Sequence, residues 1–293
     1  MPEGIKVIAT GYGDCRGIFQ NCPKLKSIEG KFTQDNAIVY NNQLLRVAPN
    51  VVYDGQFIPD GVEIIGSRAV TGSKTSDLFI PQSVKKIRDY AFAYSDIETI
   101  RFAMTTDDPG TGKAFVDSIA ETAFNYCFKL KKFIGPTDNG SLRVTPDQLG
   151  LIRDTTFYAY ALGADEQIFS IPENLEVRKI VAGAFDLTDE KGKPKGIKLQ
   201  HLGLPATVNH IRSRAFRNTL YINVWFKADN PPIRVEDGAF SWAKEFIVRF
   251  PAVMEGDAVD RNATAAREDE FRKALGETIG LSEYTPPEWD IFK

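Results

Sequence analysis

Cysteine, histidine, net charge and long apolar runs are all scarce in this 293-residue chain, and each scarcity removes a class of protein. Three cysteines cannot staple a disulfide scaffold or complete a tetrahedral all-cysteine metal site. His201 and His210 are the whole supply of imidazole for acid–base chemistry or metal ligation. The 36 basic and 39 acidic residues leave a formal net charge of -3, so no long-range field favours nucleic acid or an anionic membrane. The longest apolar stretches, such as 5–9 and 246–248, fall far short of the roughly 20 residues needed to cross a bilayer, and no membrane span is expected. Met1, Pro2, Glu3 and Gly4 lack the basic start and apolar stretch of a secretory signal, so any export signal is expected to have been removed or never to have existed. What the chain does hold is 43% hydrophobic residues, enough for one large core or two modest ones.

That apolar material recurs. Pro59, Val62, Ile65 and Val70 stand at the same offsets as Pro81, Val84, Ile87 and Phe92. Pro146, Leu149, Ile152 and Phe157 repeat the spacing, as do Pro205, Val208, Ile211 and Phe216. Val116, Ile119 and Phe124 match without the proline, and Pro172, Leu175, Ile180 and Phe185 match after two extra residues. Looser forms around Phe19 and Phe240 bring the total to about eight units. Successive anchors lie 22 to 51 residues apart, so a basic coil of about 22 residues carries insertions of loop-like composition, such as MTTDDPGTGK at 104–113 and TDEKGKPKG at 188–196. The longest step holds Asn41 and Asn42 between apolar runs, which predicts a hairpin near 32–57. Phe19, Cys22 and Leu25 share their spacing with Phe124, Cys127 and Leu130, so each coil carries a second apolar edge. Stacked coils bury both edges as continuous rows.

The segment before each proline alternates. Ile58, Ile80, Phe102, Ile171, Leu204 and Phe226, with Gln56, Leu78, Ile100, Phe169, Leu202 and Val224, form a nearly uniform apolar face. The other face is mixed: Phe57, Phe79, Arg101, Ser170, Gly203 and Trp225, with Gly55, Asp77, Thr99, Ile168, His201 and Asn223 beyond them. This is the pattern of half-buried strands, and repetition in register predicts parallel neighbours in one sheet with the mixed face outward. Near the end of the chain, Thr264 is expected to cap a helix over 265–275 that Gly276 ends, with Tyr284, Pro286, Pro287 and Trp289 helping to cover the last coil.

These units resemble the BspA-type leucine-rich-repeat family: FIPDGVEIIGSRAV at 57–70, FIPQSVKKIRDYAF at 79–92, LPATVNHIRSRAF at 204–216 and AFNYCFKLKKF at 123–133 carry the likeness. The resemblance covers most of residues 14–250. It implies an α/β repeat, a right-handed leucine-rich-repeat solenoid with a parallel sheet of short strands on one face. The solenoid would occupy 1–255 with the inserted N-terminal hairpin, and 256–293 would form a C-terminal helical cap. The resemblance also implies an exported or surface-anchored protein of the kind found in anaerobic gut and oral bacteria and associated with adhesion and host contact. Val70 stands where the family prefers Phe.

Catalytic motifs are absent. DPGTGKA at 108–114 lacks the first glycine and the hydroxyl of a phosphate-binding loop, which hold Asp107 and Ala114 instead, so it reads as an inserted turn. Asp107 and Asp108 fall short of the six to eight oxygens of a calcium site. Cys22 and Cys127 share a repeat position and read as inert core thiols, Cys15 has no assigned role, and His210 reads as a surface or edge residue. Asn139 and Asn262 head glycosylation sequons that matter only where the machinery exists. No cofactor, metal or enzymatic activity is expected. The remaining constellation is the mixed face, where Phe57, Phe79, Arg101, Trp225, Asp77, His201 and Asn223 are candidate partner-binding residues, since aromatics and Arg dominate interface hot spots. Covering of Phe57 and Phe79 by a flanking loop is an equal alternative. The expected role is non-enzymatic recognition of a protein partner, a host matrix or cell-surface protein. The alternative is a carbohydrate-binding module that stacks sugars on Trp225, Phe79 or the Tyr158 and Tyr160 pair.

Overall fold

The computed structural model describes residues 33–292 apart from positions 35, 50, 54, 55, 139, 190, 192, 194, 233, 277 and 278. Gly55, the sequon asparagine Asn139 and the early unit around Cys15, Phe19, Cys22 and Leu25 lie outside the described residues. The chain divides into two compact units, Met1–Leu151 with Ala161–Gly163, and Ile152–Tyr160 with Ala164–Lys293.

The first unit opens with the expected hairpin. Ala37–Tyr40 runs antiparallel to Gln43–Val47, and Asn41 and Asn42 between them take φ of 48° and 56°. Two successive left-handed residues are what a tight hairpin turn matched to strand twist requires, and asparagine tolerates them. The second hairpin strand then pairs in parallel with Ile64–Ile65, which pairs with Lys86–Ile87 and then with Ser118–Ile119. Ile65, Ile87 and Ile119 of the repeat thus stand in one inward row. A second parallel sheet joins Asp77–Ile80, Thr99–Phe102 and Lys132–Ile134, with Leu78, Ile80, Ile100, Phe102 and Phe133 buried beneath it. Residues 56–58 were expected to join this sheet and do not form a strand. The chain before them is held another way: the Thr75 hydroxyl donates to the Tyr53 carbonyl at 2.8 Å, and the rings of Tyr53 and Phe57 meet at 4.6 Å.

The second unit repeats the plan. Thr156–Tyr160, Lys179–Ile180, His210–Ile211 and Arg234–Val235 make one parallel ladder. Ile168–Ser170, His201–Leu204, Asn223–Phe226 and Ile247–Pro251 make the other, and Gly280–Tyr284 adds a strand beyond the last repeat. The single sheet expected from the alternation is therefore two. The reason lies between Ile134 and Ile168, where Leu142–Val144, the segment before Pro146, takes Gly150–Arg153 as its neighbour and leaves Lys132–Ile134 at a sheet edge.

The repeat's aromatic anchor packs as its spacing demands. In the first unit Phe92 and Phe124 stack at 5.3 Å. In the second, Phe157, Phe185, Phe216 and Phe240 stack in turn at 5.5, 5.2 and 5.3 Å, within 10° of parallel. Most coils reverse around the anchor through residues at positive φ, two places before it at Arg68, Tyr90, Gly183, Arg214 and Gly238, and two places after it at Gly72, Tyr94, Tyr126, Asn218 and Trp242. Most are not glycine, and bonds from the neighbouring coil hold several in place: the Asn218 amide donates to Ser241 at 3.0 Å and the Tyr94 amide to Tyr126 at 3.0 Å.

The helix near the C-terminus spans Arg261–Leu275, four residues earlier than expected. Asp260 is its cap, accepting from the Asn262 and Ala263 amides at 3.0 Å. Thr264 lies within the helix, its hydroxyl accepting from the Val253 amide at 2.9 Å, and Arg272 pairs with Glu268 at 2.5 Å. Gly276 ends the helix at φ 102°. Phe271 stacks on Phe250 at 5.4 Å and meets Phe226 edge-on at 5.7 Å, which seats the helix against the five-stranded sheet.

Candidate functional site

The seven candidate residues of the mixed face separate into three settings. Asp77, Phe79 and Arg101 come together on the outer face of the first unit's three-stranded sheet. Phe79, Arg101 and Ile134 are cross-strand partners in one row, and Arg101 Nη2 reaches Asp77 at 3.2 Å. His201, Asn223 and Trp225 come together on the five-stranded sheet of the second unit. Phe57, 6% exposed, is in neither group, because the loop that carries Tyr53 covers it.

Trp225 does not look outward. It is 5% exposed, and the chain's own C-terminal segment covers it. Tyr284 meets its ring at 5.2 Å and Phe292 meets it edge-on at 5.9 Å. Trp289 packs on Tyr284 and on Phe292, at 5.9 and 4.8 Å. Gly203, the partner of Trp225 across the strands, makes the seat: a Cβ there would lie 2.7 Å from Ser170 Oγ and 3.2 Å from Phe292 Cε1. On the other side Arg249 lies 5.2 Å from the Trp225 ring centre. The indole nitrogen donates to His201 Nδ1 at 3.2 Å. Burial, and then the nearby Arg249, hold the His201 imidazole below its usual pKa, which favours the neutral ring that can accept this bond. Tail and sheet are tied further by Lys227, which pairs with Glu173 and stands 5.8 Å over Trp289. The alternation marks this face as non-core, but only the return of residues 284–292 decides that it is covered.

The corresponding face of the first unit stays open. A groove of about 590 Å³ lies there, lined by Phe79, Phe102, Met104, Phe115, Pro109 and Ile134 among others. The insertion at 104–113 forms its far wall. An antiparallel bridge between Met104 and Ala114 closes that insertion, and the Asp108 carboxylate, accepting from the Gly110 amide at 3.0 Å and the Thr111 hydroxyl at 2.9 Å, folds its tip. The stretch that invited comparison with a phosphate loop is thus a wall whose amides serve its own turn. Lys85 supports the wall from behind, its ammonium donating to the Phe115 carbonyl at 3.3 Å and lying 5.1 Å over the ring. Asp60, Gln82, Thr106 and Asp107 supply the groove's exposed polar rim.

The remaining residues with chemical potential are structural. Cys127 is buried, its thiol donates to the Phe92 carbonyl at 3.5 Å, and burial pushes its pKa up, which makes it inert as a nucleophile. His210 is half-buried beside Glu236, with Nε2 at 3.0 Å. Burial opposes the charge of Glu236, but the Ser213 amide, His210 and Arg212 outweigh it and hold the carboxyl at about 2. Tyr160 is buried against Phe169 and Phe185, so the Tyr158 and Tyr160 pair offers no open stacking platform; the hydrophobic column competes for that ring and wins. Among the described residues, the aromatic rings that do stand open are Tyr221 and Trp242, 62% and 67% exposed, which the alternation could not single out because they lie in the turns. Among the described residues, no group of three His, Cys, Asp or Glu side chains could hold a metal, and no helix is long and apolar enough to cross a membrane.

Two ladders of short parallel strands joined by tight turns around a buried aromatic column define a leucine-rich-repeat type fold. Residues 56–162 match the BspA type leucine rich repeat region in six copies. Among solved structures, the chain is similar to a leucine rich cell surface protein from Faecalibacterium prausnitzii, at 17% identity over 80% of this chain and 61% of that one, with a TM-score of 0.46. A leucine-rich repeat protein from Eubacterium ventriosum is similar at 16% identity over 71% of this chain and 60% of that one, with a TM-score of 0.40. The pneumococcal vaccine antigen PcpA is similar at 12% identity over 88% and 100%, with a TM-score of 0.21. The chain spans about three fifths of the length of the first two. No curated protein matches it.

Proposed function

We propose that the protein is a non-enzymatic recognition module, secreted or displayed at a cell surface, that holds a protein partner in the groove of its first unit. The observation that carries the reading is the open row of Phe79, Arg101 and Ile134 facing the wall built by residues 104–113. A rigid hydrogen-bonded sheet presents an aromatic and an arginine in a pocket with apolar walls, and such pockets hold interface anchors. The repeat type supports the surface location, a right-handed winding and the reading of the terminal helix as a cap. Adhesion to a host matrix or cell-surface protein is the physiological form of this activity. The test is capture of purified matrix and serum proteins by wild type and by the Phe79→Asp, Arg101→Glu double variant. Binding that survives in the folded double variant overturns the groove as the contact.

A sugar-binding reading has its own observation in Tyr221 and Trp242. Both rings are open and sit on positive-φ turns of the second unit, at φ 61° and 58°. Retention of defined glycans by wild type but not by Trp242→Ala on an array supports it, and retention by neither protein removes it.

A further inference from the structure

We infer that the groove of the first unit selects a partner segment in which a bulky apolar side chain is flanked by Lys or Arg. This rests on the recognition reading above and adds the chemistry of the partner. The apolar part follows from the lining: Phe79, Phe102, Met104, Phe115 and Ile134 can desolvate a side chain of aromatic size. The charged part follows from an account of every ion at the mouth. Arg101 is the basic residue that lines the groove, and its guanidinium is already matched by Asp77 at 3.2 Å. Lys85 stands behind the wall with its ammonium on Phe115. Asp60 and Asp107 both line the mouth, one in the coil before the sheet and one in the insertion, and both are exposed. Neither has a hydrogen bond or ion pair among the described residues, whereas the adjacent Asp108 spends its carboxylate on its own turn. The groove therefore presents an apolar floor together with two uncompensated negative charges at its mouth. Complementary potential selects partners and sets register, and like charges opposed across an interface are penalised.

The second unit indicates the scale of the occupant. Its own sheet face is filled by a short chain segment that places Tyr284, Trp289 and Phe292 around Trp225 and brings Lys227 over Trp289. Residues 284–292, with three aromatic rings, close that face.

The test uses the full chain with its methionine and isoleucine methyl groups labelled, titrated with two capped tripeptides, Lys-Phe-Lys and Glu-Phe-Glu. Lys-Phe-Lys is expected to shift the Met104 and Ile134 methyl signals saturably. Affinity is expected to fall with added salt and to fall about five-fold for each of Asp60→Lys and Asp107→Lys. Asp60→Asn, which keeps the shape, gives a smaller loss and separates charge from folding. Equal shifts with Glu-Phe-Glu overturn the selectivity for basic residues and leave the groove as a recognition site. No shift at Met104 or Ile134 with either peptide overturns the inference, and the double-variant capture assay then decides the recognition reading by itself.

Discussion

The outer faces of the two sheets are built from equivalent positions of the same repeat, yet the first is open beneath an insertion and the second is sealed by the C-terminal segment. Phe79 faces Arg101 across the first sheet, and Trp225 faces Gly203 across the second. The small residue makes the difference physical. Gly203 leaves a hollow beside a large ring, and Phe292 lies against that hollow. Arg101, paired with Asp77 and half-exposed, leaves no such seat. A face that is merely not core becomes packing or contact surface according to what other chain returns to it.

Substitutions can break this comparison, beginning in the aromatic column beneath the sealed face. Phe216→Ala removes a ring stacked on both sides and should cost about 3–5 kcal/mol in thermal or denaturant unfolding. An unchanged melt would contradict the column. Asp186→Ala tests the second unit at another buried point. Asp186, 1% exposed, accepts from Arg217 Nη2 at 2.6 Å and from the Thr188 amide at 2.9 Å, and its loss removes the buried carboxylate that Arg217 and Thr188 bond, at a cost of about 3 kcal/mol by urea titration.

The seal itself is the next largest effect. Trp289→Ala with Phe292→Ala should cost about 2 kcal/mol and expose Trp225, read as faster hydrogen exchange at its indole nitrogen. Unchanged exchange would show that the tail is not the cover. The seal should also weaken in acid. His201 has its folded pKa held below the ordinary 6.5, so the unfolded chain binds the proton more readily. Its contribution is present above about pH 6.5 and is lost as pH falls through the lower folded value. Stability measured from pH 7.5 to 5 should drop more for wild type than for His201→Gln. On the open face the smallest effect is expected: Phe79→Ser should change stability by less than about 1 kcal/mol, since the ring is not part of either column. A loss as large as that of Phe216→Ala would mean that the groove is core.

The interior was legible because its signals are local and repeat. The spacing from Val84 through Ile87 to Phe92 predicts which side chains point inward in each coil, and neighbouring copies place them in rows. Asn41 and Asn42 predicted the hairpin for an equally local reason, the cost of two left-handed residues. The start of the helix was misplaced because Thr264 and Asp260 are both competent caps, and Thr264 is drawn instead to the Val253 amide. The strand at 280–284 was missed because GLSEY carries little alternation; it forms because Ile247–Pro251 offers a free edge.

Of the candidate residues, Asp77, Phe79 and Arg101 meet as the alternation suggested, since cross-strand neighbours follow from register. Trp225 was misread as exposed because nothing near residue 225 indicates that residues 284–292 return to it. Asp60 and Asp107 went unremarked because they are far apart along the chain and close only around a groove that the insertion completes.

Periodic apolar residues therefore dictate the coil, its buried column and the two faces of each strand, because burying those residues is worth far more than any alternative arrangement of so regular a pattern. Which outer face stays open was settled only in three dimensions, because covering a surface requires segments distant in the chain to meet, and no local spacing encodes that meeting.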